Sequence, residues 1–242
     1  KSGENATGNY CVFLGSSAGI NAQANSSVGV GRSAGSSTGS NGTFVGDLAG
    51  ISATAQYNTC IGYRAGSRLT TGEKNTLIGT YAGSTGDTDT GSLITGSNNI
   101  ILQSGGFGEW DLGADVSNTV VLGSSTQTTI YAGVNTITAL SDKRDKKDVK
   151  EISAGLEFVK ELKPVDFIWD ERKETGKRGI KDCGFLAQDL KETEDKHGVA
   201  DYLKLVDDKN PEKLLATYGR LLPVMVKAIQ ELSAELEILK NK

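Results

Sequence analysis

Short apolar stretches of three or four residues recur through the first half of the chain, and a glycine closes each of them. In five copies, the apolar stretch and its glycine are followed by two variable residues and then Ala-Gly. The closing glycines lie 15 to 17 residues apart, at Gly15, Gly31, Gly46, Gly62 and Gly79. Weaker copies follow at 98–102 and 118–123. A fixed period of this length predicts a solenoid of stacked repeats.

Each repeat predicts one short β-strand, a glycine corner and a polar return. A strand this short cannot bury itself, but strands stacked about 4.8 Å apart form a continuous core. Glycine supplies corner conformations that other residues avoid, and the asparagine that recurs before the strand suits a turn with local backbone bonds. We therefore expect a parallel β-roll or β-helix over residues 1–140. Because we expect only two or three inward apolar residues per strand, several chains would associate to complete the core.

Two repeats carry the pattern Asn-Thr-x-Ile-Gly-x-x-Ala-Gly, at 58–66 and 75–83. This pattern resembles the head repeats of trimeric autotransporter adhesins and the shafts of phage tail fibres. The resemblance implies a homotrimer whose three chains run side by side. Further on, residues 120–140 alternate apolar and polar positions in part, which predicts a strand leading directly to Ser141.

The apolar positions change their spacing in the second half, which predicts an α+β domain. Ser153 is a suitable N-cap for the first helix there, and Pro164 would stop it. A polar tip between two apolar segments predicts a hairpin. In order, we expect a helix at 153–162, hairpin strands at 165–170 and 181–187, a helix at 188–197 and a strand at 202–206.

The last segment, from Leu214 to Lys242, predicts one long helix with an entry bend at Pro223. Six apolar residues are spaced 3, 4, 3, 4 and 3 apart along it: Leu222, Met225, Ile229, Leu232, Leu236 and Leu239. This spacing is the a/d seam of a coiled coil, which requires partner helices. We expect a coiled-coil tail over about 220–242, and a trimer agrees with the array.

Composition divides the chain at the same place, between residues 140 and 141. The first part holds 25 of the 31 glycines, with five Lys/Arg and eight Asp/Glu, whereas the second holds 21 Lys/Arg and 22 Asp/Glu. We therefore predict a β-repeat fibre or receptor-binding domain at 1–140 and a separate domain at 141–242. Neither part has the clustered cations that nucleic acid requires. No apolar run approaches the 18 or so residues of a membrane span, so no membrane insertion is expected.

Few residues point to metal or disulfide chemistry. Three cysteines (Cys11, Cys60 and Cys183) and one histidine (His197) do not make a disulfide framework or a zinc site. We expect no metal and no cofactor.

Trp110 lies between two acids, Glu109 and Asp111, at an interruption of the repeats. The ring could stack on a sugar while the carboxylates accept its hydroxyls, which makes these residues a candidate glycan contact. Alternatively, the tryptophan packs against the end of the array.

Ser141 stands at the border between the two parts, with Lys146 five residues further on. A serine hydroxyl becomes a nucleophile when a neighbouring base takes its proton, and a lysine can be that base where desolvation favours its neutral form. Lys147 is a rival base. The alternative is that Ser141 caps a turn and that these lysines lie on the surface.

Four motifs then follow one another through the second half. They are Ser-Asp-x-Arg-x-Lys at 141–146, Leu-Lys-Pro-Val-Asp-Phe-Ile-Trp at 162–169, Cys-Gly-Phe-Leu-Ala-Gln at 183–188 and Tyr-Gly-Arg-Leu-Leu-Pro-Val at 218–224. With the coiled coil, they resemble the peptidase S74 domain. This domain is the C-terminal intramolecular chaperone of phage tailspikes, endosialidases and tail or neck fibres, and a relative occurs in the eukaryotic myelin regulatory factor.

The resemblance implies that the domain trimerises, folds the preceding β-structure and is released by autoproteolysis. It makes Leu140–Ser141 the scissile bond, Ser141 the nucleophile, Lys146 the base, and Asp142 and Arg144 supporting residues of the motif. The oxyanion donors would be backbone amides or Arg144. The chain would be at most a single-turnover self-cleaving serine peptidase, without an external substrate.

By the same resemblance, the protein is the distal part of a phage tail fibre or appendage, made in the host cytoplasm and located in the virion. Its partner would be a host cell-surface receptor or glycan. Two alternatives are a cellular trimeric adhesin head and a fibre that retains a non-cleaving trimerisation domain. A membrane-tethered transcription factor of the myelin type would require a DNA-binding domain, for which the glycine-rich array is a poor candidate.

Overall fold

The computed structural model describes residues 1–85, 92–103, 113–124, 130–132, 137–170 and 178–242. The chain divides into two compact units, Lys1–Thr128 and Thr129–Lys242. They are called here the solenoid unit and the C-terminal unit. The division between functional domains at residues 140 and 141 remains a prediction from composition.

The solenoid unit is one parallel sheet of seven three-residue strands, paired in chain order. Equivalent positions of successive repeats lie side by side, so that Phe44 pairs with Cys60 and Cys60 with Leu77. The strands are β1 (Val12–Leu14), β2 (Val28–Val30), β3 (Thr43–Val45), β4 (Thr59–Ile61), β5 (Thr76–Ile78), β6 (Ile100–Leu102) and β7 (Val120–Leu122). The predicted parallel β-solenoid is confirmed, including its two weaker repeats.

Each strand turns only its middle residue inward. Phe44, Cys60 and Leu77 are fully buried, and the alanines of the Ala-Gly pairs pack in the same core. The expectation of two or three inward residues is wrong, because side chains alternate along a strand and the two flanking positions face outward. The chain fills its own narrow core. The outward positions instead leave apolar side chains such as Leu14 and Leu122 exposed.

A ladder of buried asparagines runs beside the strands. The side-chain amide of Asn75 donates to Oδ1 of Asn58 at 3.2 Å, and the amide of Asn99 donates to Oδ1 of Asn75 at 2.9 Å. The same two oxygens accept the backbone N–H groups of Asn75 and Asn99. The recurring asparagine therefore bonds chiefly from coil to coil, whereas the sequence predicted local turn bonds. These bonds satisfy polar groups that would be costly to bury unpaired.

The closing glycines are required by backbone conformation and by space. Gly46 has a φ of 133°, and a Cβ placed on it would lie 2.4 Å from the carbonyl oxygen of Gly62. Gly62 stands in the same relation to Gly79, at 2.5 Å. The coils stack closely enough that no side chain fits at these corners.

Gly46→Ala is expected to destabilise the solenoid unit by about 2–5 kcal/mol, the sum of the positive φ and of overpacking against fixed backbone. Gly113→Ala is the matched control, since Gly113 also has a positive φ (92°) but its Cβ would meet no heavy atom closer than 3.4 Å. Urea unfolding of the full chain, monitored by circular dichroism, measures the free energy of unfolding of both variants. Equal losses in the two variants would contradict the crowding argument.

The C-terminal unit combines short helices and hairpins around one apolar cluster. Phe158, Leu190, Leu205 and Val224 are buried in it. Its elements are α1 (Leu156–Glu161), the antiparallel pair β8 (Val165–Ile168) and β9 (Lys181–Gly184), α2 (Ala187–His197), α3 (Ala200–Leu203), the pair β10 (Val206–Asp207) and β11 (Leu215–Ala216), and α4 (Leu221–Lys240). The predictions of α1, the β8–β9 hairpin and α2 are confirmed.

Two predictions about the ends of helices are wrong. Ser153 does not cap α1; its hydroxyl bonds to the Tyr202 hydroxyl, and the N–H of Leu156 donates to Oε2 of Glu231 at 2.6 Å. The final helix begins at Leu221, after β11 and a single 3-10 turn over Tyr218–Arg220. Leu215 and Ala216 instead form β11 and pair with β10, which a helical pattern alone does not reveal.

Two predicted strands also differ from the structure. The strand expected at 202–206 begins as the end of helix α3 and reaches a strand only at Val206 of β10, because Val199, Leu203 and Leu205 all turn into the core. The strand expected over 120–140 is found at its start, as β7. Residues 130–132 and 137–140 form no strand, and the remainder of that stretch lies outside the described residues. Ser141 therefore does not directly follow a β-strand.

Candidate functional site

The segment around Ser141 is exposed, and one short turn shapes it. Ile137 and Leu140, which precede the turn, are 100% and 86% exposed. A 3-10 turn then covers Lys143–Asp145, with Asp142 as its N-cap. Asp142 is well suited to that position, because a short carboxylate can accept the N–H groups that a helix start leaves unpaired.

This turn brings Lys146 back to Ser141. Nζ of Lys146 donates to Oγ of Ser141 at 2.6 Å, and it also lies 3.3 Å from the carbonyl oxygen of Ser141. The first distance suits the transfer of a proton between a serine hydroxyl and a neutral lysine amine. Of the two lysines considered from the sequence, it is Lys146 that contacts the serine.

Asp142 and Arg144 form a closed pair inside the turn. Oδ1 of Asp142 accepts the backbone N–H of Arg144 at 2.9 Å, while Nε and Nη2 of Arg144 donate to the same carboxylate at 3.1 and 2.6 Å. These bonds lower the pKa of Asp142 and raise the pKa of Arg144. The Arg144 side chain, considered above as an oxyanion donor, is bonded to Asp142 in this structure.

Water reaches the Ser141–Lys146 pair in the single chain. Both residues are exposed, as are the neighbouring charged residues Lys143, Asp145 and Lys147. Within the described part of the chain, no hydrogen bond or ion pair joins residues 141–148 to another element. A lysine serves as a base where desolvation favours its neutral form, and the exposed pair lacks that desolvation.

The other candidate residues are not brought to this turn. Trp110, Glu109 and Asp111, the candidate glycan contact, lie outside the described residues. His197 ends α2, where its ring packs edge-on against Phe158 and Nε2 lies 3.4 Å from the Glu161 carboxylate.

Two further observations bear on the chemistry. Burial raises the pKa of the Cys60 thiol to about 12, so this cysteine is an inert core residue. None of the helices in the described ranges is long and apolar enough to cross a membrane.

Sequence reasoning missed the pairing of Asp142 with Arg144. The signal for it was present, because an Asp two residues before the N–H that it caps is a common local motif. A guanidinium two residues after the carboxylate can reach the same oxygens.

Comparison with known proteins supports the resemblance. Residues 141–199 match the Peptidase S74 family model, described as the chaperone of endosialidase. No match was found among curated proteins or among solved structures. The match begins at Ser141 and covers the turn, α1, the β8–β9 hairpin and α2. The chain is therefore similar to the peptidase S74 family over residues 141–199, the stretch that follows the parallel β-solenoid.

Proposed function

We propose that this chain is the distal part of a phage tail fibre or appendage that binds a receptor or glycan on the host cell surface. Its C-terminal domain trimerises, folds the β-array and is then released by autoproteolysis between Leu140 and Ser141. The observation that carries the proposal is the S74 match beginning at Ser141, directly before the turn that joins Ser141 to Lys146. The glycine-rich solenoid supplies the fibre.

The chemistry follows from the turn. Lys146 in its neutral form takes the proton of the Ser141 hydroxyl, and Oγ attacks the carbonyl carbon of Leu140. The C–N bond breaks, and the proton held by Lys146 passes to the departing nitrogen of Ser141. The resulting ester joins the Leu140 acyl group to Oγ of Ser141. Water then hydrolyses it, leaving a carboxylate on Leu140 and a free amine and hydroxyl on Ser141.

This chemistry requires a drier site than the single chain provides. A lysine acts as a base when burial disfavours its charged form, and here Lys146 is exposed. We propose that assembly of three chains covers the turn, so that cleavage follows trimerisation and marks correctly folded fibres.

The surface of α4 supports such an assembly. One face packs on the C-terminal core through Leu221, Val224 and Ala228. The adjacent face, one residue further along the helix, carries the predicted seam, and each of its six residues is between 45% and 67% exposed in the single chain: Leu222, Met225, Ile229, Leu232, Leu236 and Leu239. An apolar face with a/d spacing is stabilised by partner helices, and a parallel trimer buries all six.

The outer face of the solenoid sheet supports lateral association as well. The residues that flank each inward side chain are stacked in two columns along the seven strands. Several are large and apolar, and are 36–65% exposed: Val12, Leu14, Ile61, Ile78, Ile100, Leu102, Val120 and Leu122. A continuous apolar surface of this kind typically marks an interaction site.

A fibre that keeps its trimerisation domain uncut is the second candidate. The exposure of the Ser141–Lys146 pair favours it, because a solvated lysine leaves the serine unactivated. A cellular trimeric adhesin head shares the repeat pattern and is the remaining alternative for the solenoid.

Intact-mass measurement under denaturing conditions tests the proposal. After expression of the natural sequence, we expect two products, residues 1–140 and residues 141–242, with Ser141 as the new N-terminal residue of the second. A chain that stays whole at 25.4 kDa, while assembling as a trimer, would support the retained domain instead.

A further inference from the structure

We infer that Asp142 and Arg144 are positioning residues for the cleavage reaction. Their paired side chains fold the turn that returns Lys146 to Ser141, and the pairing keeps the Asp142 carboxylate from stabilising the lysine as an ammonium ion. The inference rests on the proposed function, since it concerns how Ser141 and Lys146 are brought to react.

The turn brings Ser141 and Lys146 into contact. Ser141 and Lys146 are five residues apart, and an extended chain would separate them by well over ten ångströms. The 3-10 turn over Lys143–Asp145 removes that separation, and it begins at Asp142, whose Oδ1 accepts the Arg144 N–H at 2.9 Å. The turn closes where the N–H of Lys146 donates to the carbonyl oxygen of Lys143 at 3.2 Å.

The Asp142–Arg144 pair also stiffens the turn. An N-cap bond alone holds one N–H, whereas the Arg144 guanidinium adds three further contacts of 2.6–3.1 Å to the same carboxylate. Charge-assisted bonds of this forked kind fix orientation as well as distance. No bond from any other described element supports the turn, so the pair and the turn's own backbone bonds hold its shape.

The Asp142–Arg144 pair also limits the net charge beside Lys146. Asp142 is the residue next to the nucleophile, and an unpaired carboxylate there would favour the protonated form of a neighbouring lysine. Arg144 supplies the opposite charge at 2.6 Å. The pair therefore adds almost no net charge beside Lys146. The other charged groups of the segment are Lys143, Asp145, Lys147 and Asp148, and none of their side chains forms a hydrogen bond or ion pair with Asp142 or Arg144.

The experiment separates the two effects by varying both residues in the full chain. A photocaged serine at position 141 keeps the assembled protein whole until illumination, and the cleavage rate is then followed against pH. Three variants are compared with the parent: Asp142→Ala, Arg144→Ala and the double variant. Circular dichroism and native mass before illumination verify that each has folded and assembled.

We expect the pH midpoint of the cleavage rate to move in opposite directions in the single variants. Arg144→Ala leaves a free carboxylate and raises the midpoint by about one pH unit, whereas Asp142→Ala leaves a free guanidinium and lowers it by a similar amount. The double variant removes both charges, and its midpoint returns to that of the parent. A turn that mattered only for folding would leave the midpoint unmoved.

The rates well above each midpoint test the positioning. We expect the cleavage rate of each single variant to fall about tenfold. The rate of the double variant should also fall about tenfold, because either change breaks the same pair. Lys143→Ala is the control, since it alters the charge of the turn without touching the pair, and its rate should stay within about twofold of the parent.

A cleavage rate about a hundredfold below the parent's in the double variant would overturn the inference but not the proposed function. Single variants whose pH midpoints do not differ would do the same. A parent chain that remains whole after illumination would overturn the proposed function and this inference with it.

Discussion

Ser141→Ala is expected to abolish cleavage, so that every chain remains at 25.4 kDa where the natural sequence divides. The methyl group offers no nucleophile, and the Lys146 ammonium group loses its 2.6 Å contact with Oγ. Removing the nucleophile from a self-cleaving site typically lowers the rate by several orders of magnitude. Intact mass after expression, repeated after long incubation, measures the loss.

Substitutions of the lysines show which of them is the base. Lys146→Met removes the amine while keeping much of the side-chain volume, and Lys146→Arg keeps the charge but has a group that does not lose its proton. Both are expected to stop cleavage, whereas the Lys147→Met variant is expected to cleave itself as the natural sequence does. A chain that still divides with methionine at position 146 would exclude the proposed dyad.

The repeat could be predicted from the sequence because its glycine and apolar positions are local requirements. A corner such as Gly46, where φ is 133° and no Cβ fits, admits little variation. The number of inward residues was misjudged, since the strands are only three residues long. Alternation then leaves a single central side chain, such as Phe44, inside.

The C-terminal unit was predicted less completely, because its short elements are decided by packing. Residues 202–206 fit an alternating strand pattern, but Leu203 and Leu205 pack together with Val199 in one core. Likewise, the cap of α1 is Glu231, which is 75 residues away along the chain. No local pattern identifies a partner so distant.

At the candidate site, the residues could be predicted from the sequence, but their environment could not. The spacing of Ser141 and Lys146 suggested a pair, and the structure has them in contact. Their exposure could not be inferred, because it depends on what packs over residues 141–148. In the proposed mechanism, this exposure makes cleavage depend on assembly, and so on the seam of α4.

Ile229→Asp combined with Leu236→Asp is expected to prevent trimerisation. Both side chains are exposed in the single chain, 64% and 48% respectively, so the substitutions remove little from the core of the unit. In a trimer, they would bury six carboxylates along one seam, and each unpaired buried charge costs several kcal/mol. We expect a native mass near 25.4 kDa in the Ser141→Ala background, where the parent is expected to have three times that mass.

Gln230→Asp combined with Ala234→Asp is the matched control. It adds the same two carboxylates to α4, at exposed positions outside the seam, and is expected to leave the trimer intact. A seam variant that still forms trimers would show that α4 is not the association surface.

With Ser141 restored, the same seam variant is also expected to stay uncut, because its Ser141–Lys146 pair stays exposed to water. This second measurement separates assembly from chemistry. A seam variant that is monomeric yet divides at Leu140–Ser141 would mean that the turn held by Asp142 and Arg144 activates the serine without burial. If the seam variant loses both trimerisation and cleavage while the control variant retains both, cleavage depends on assembly.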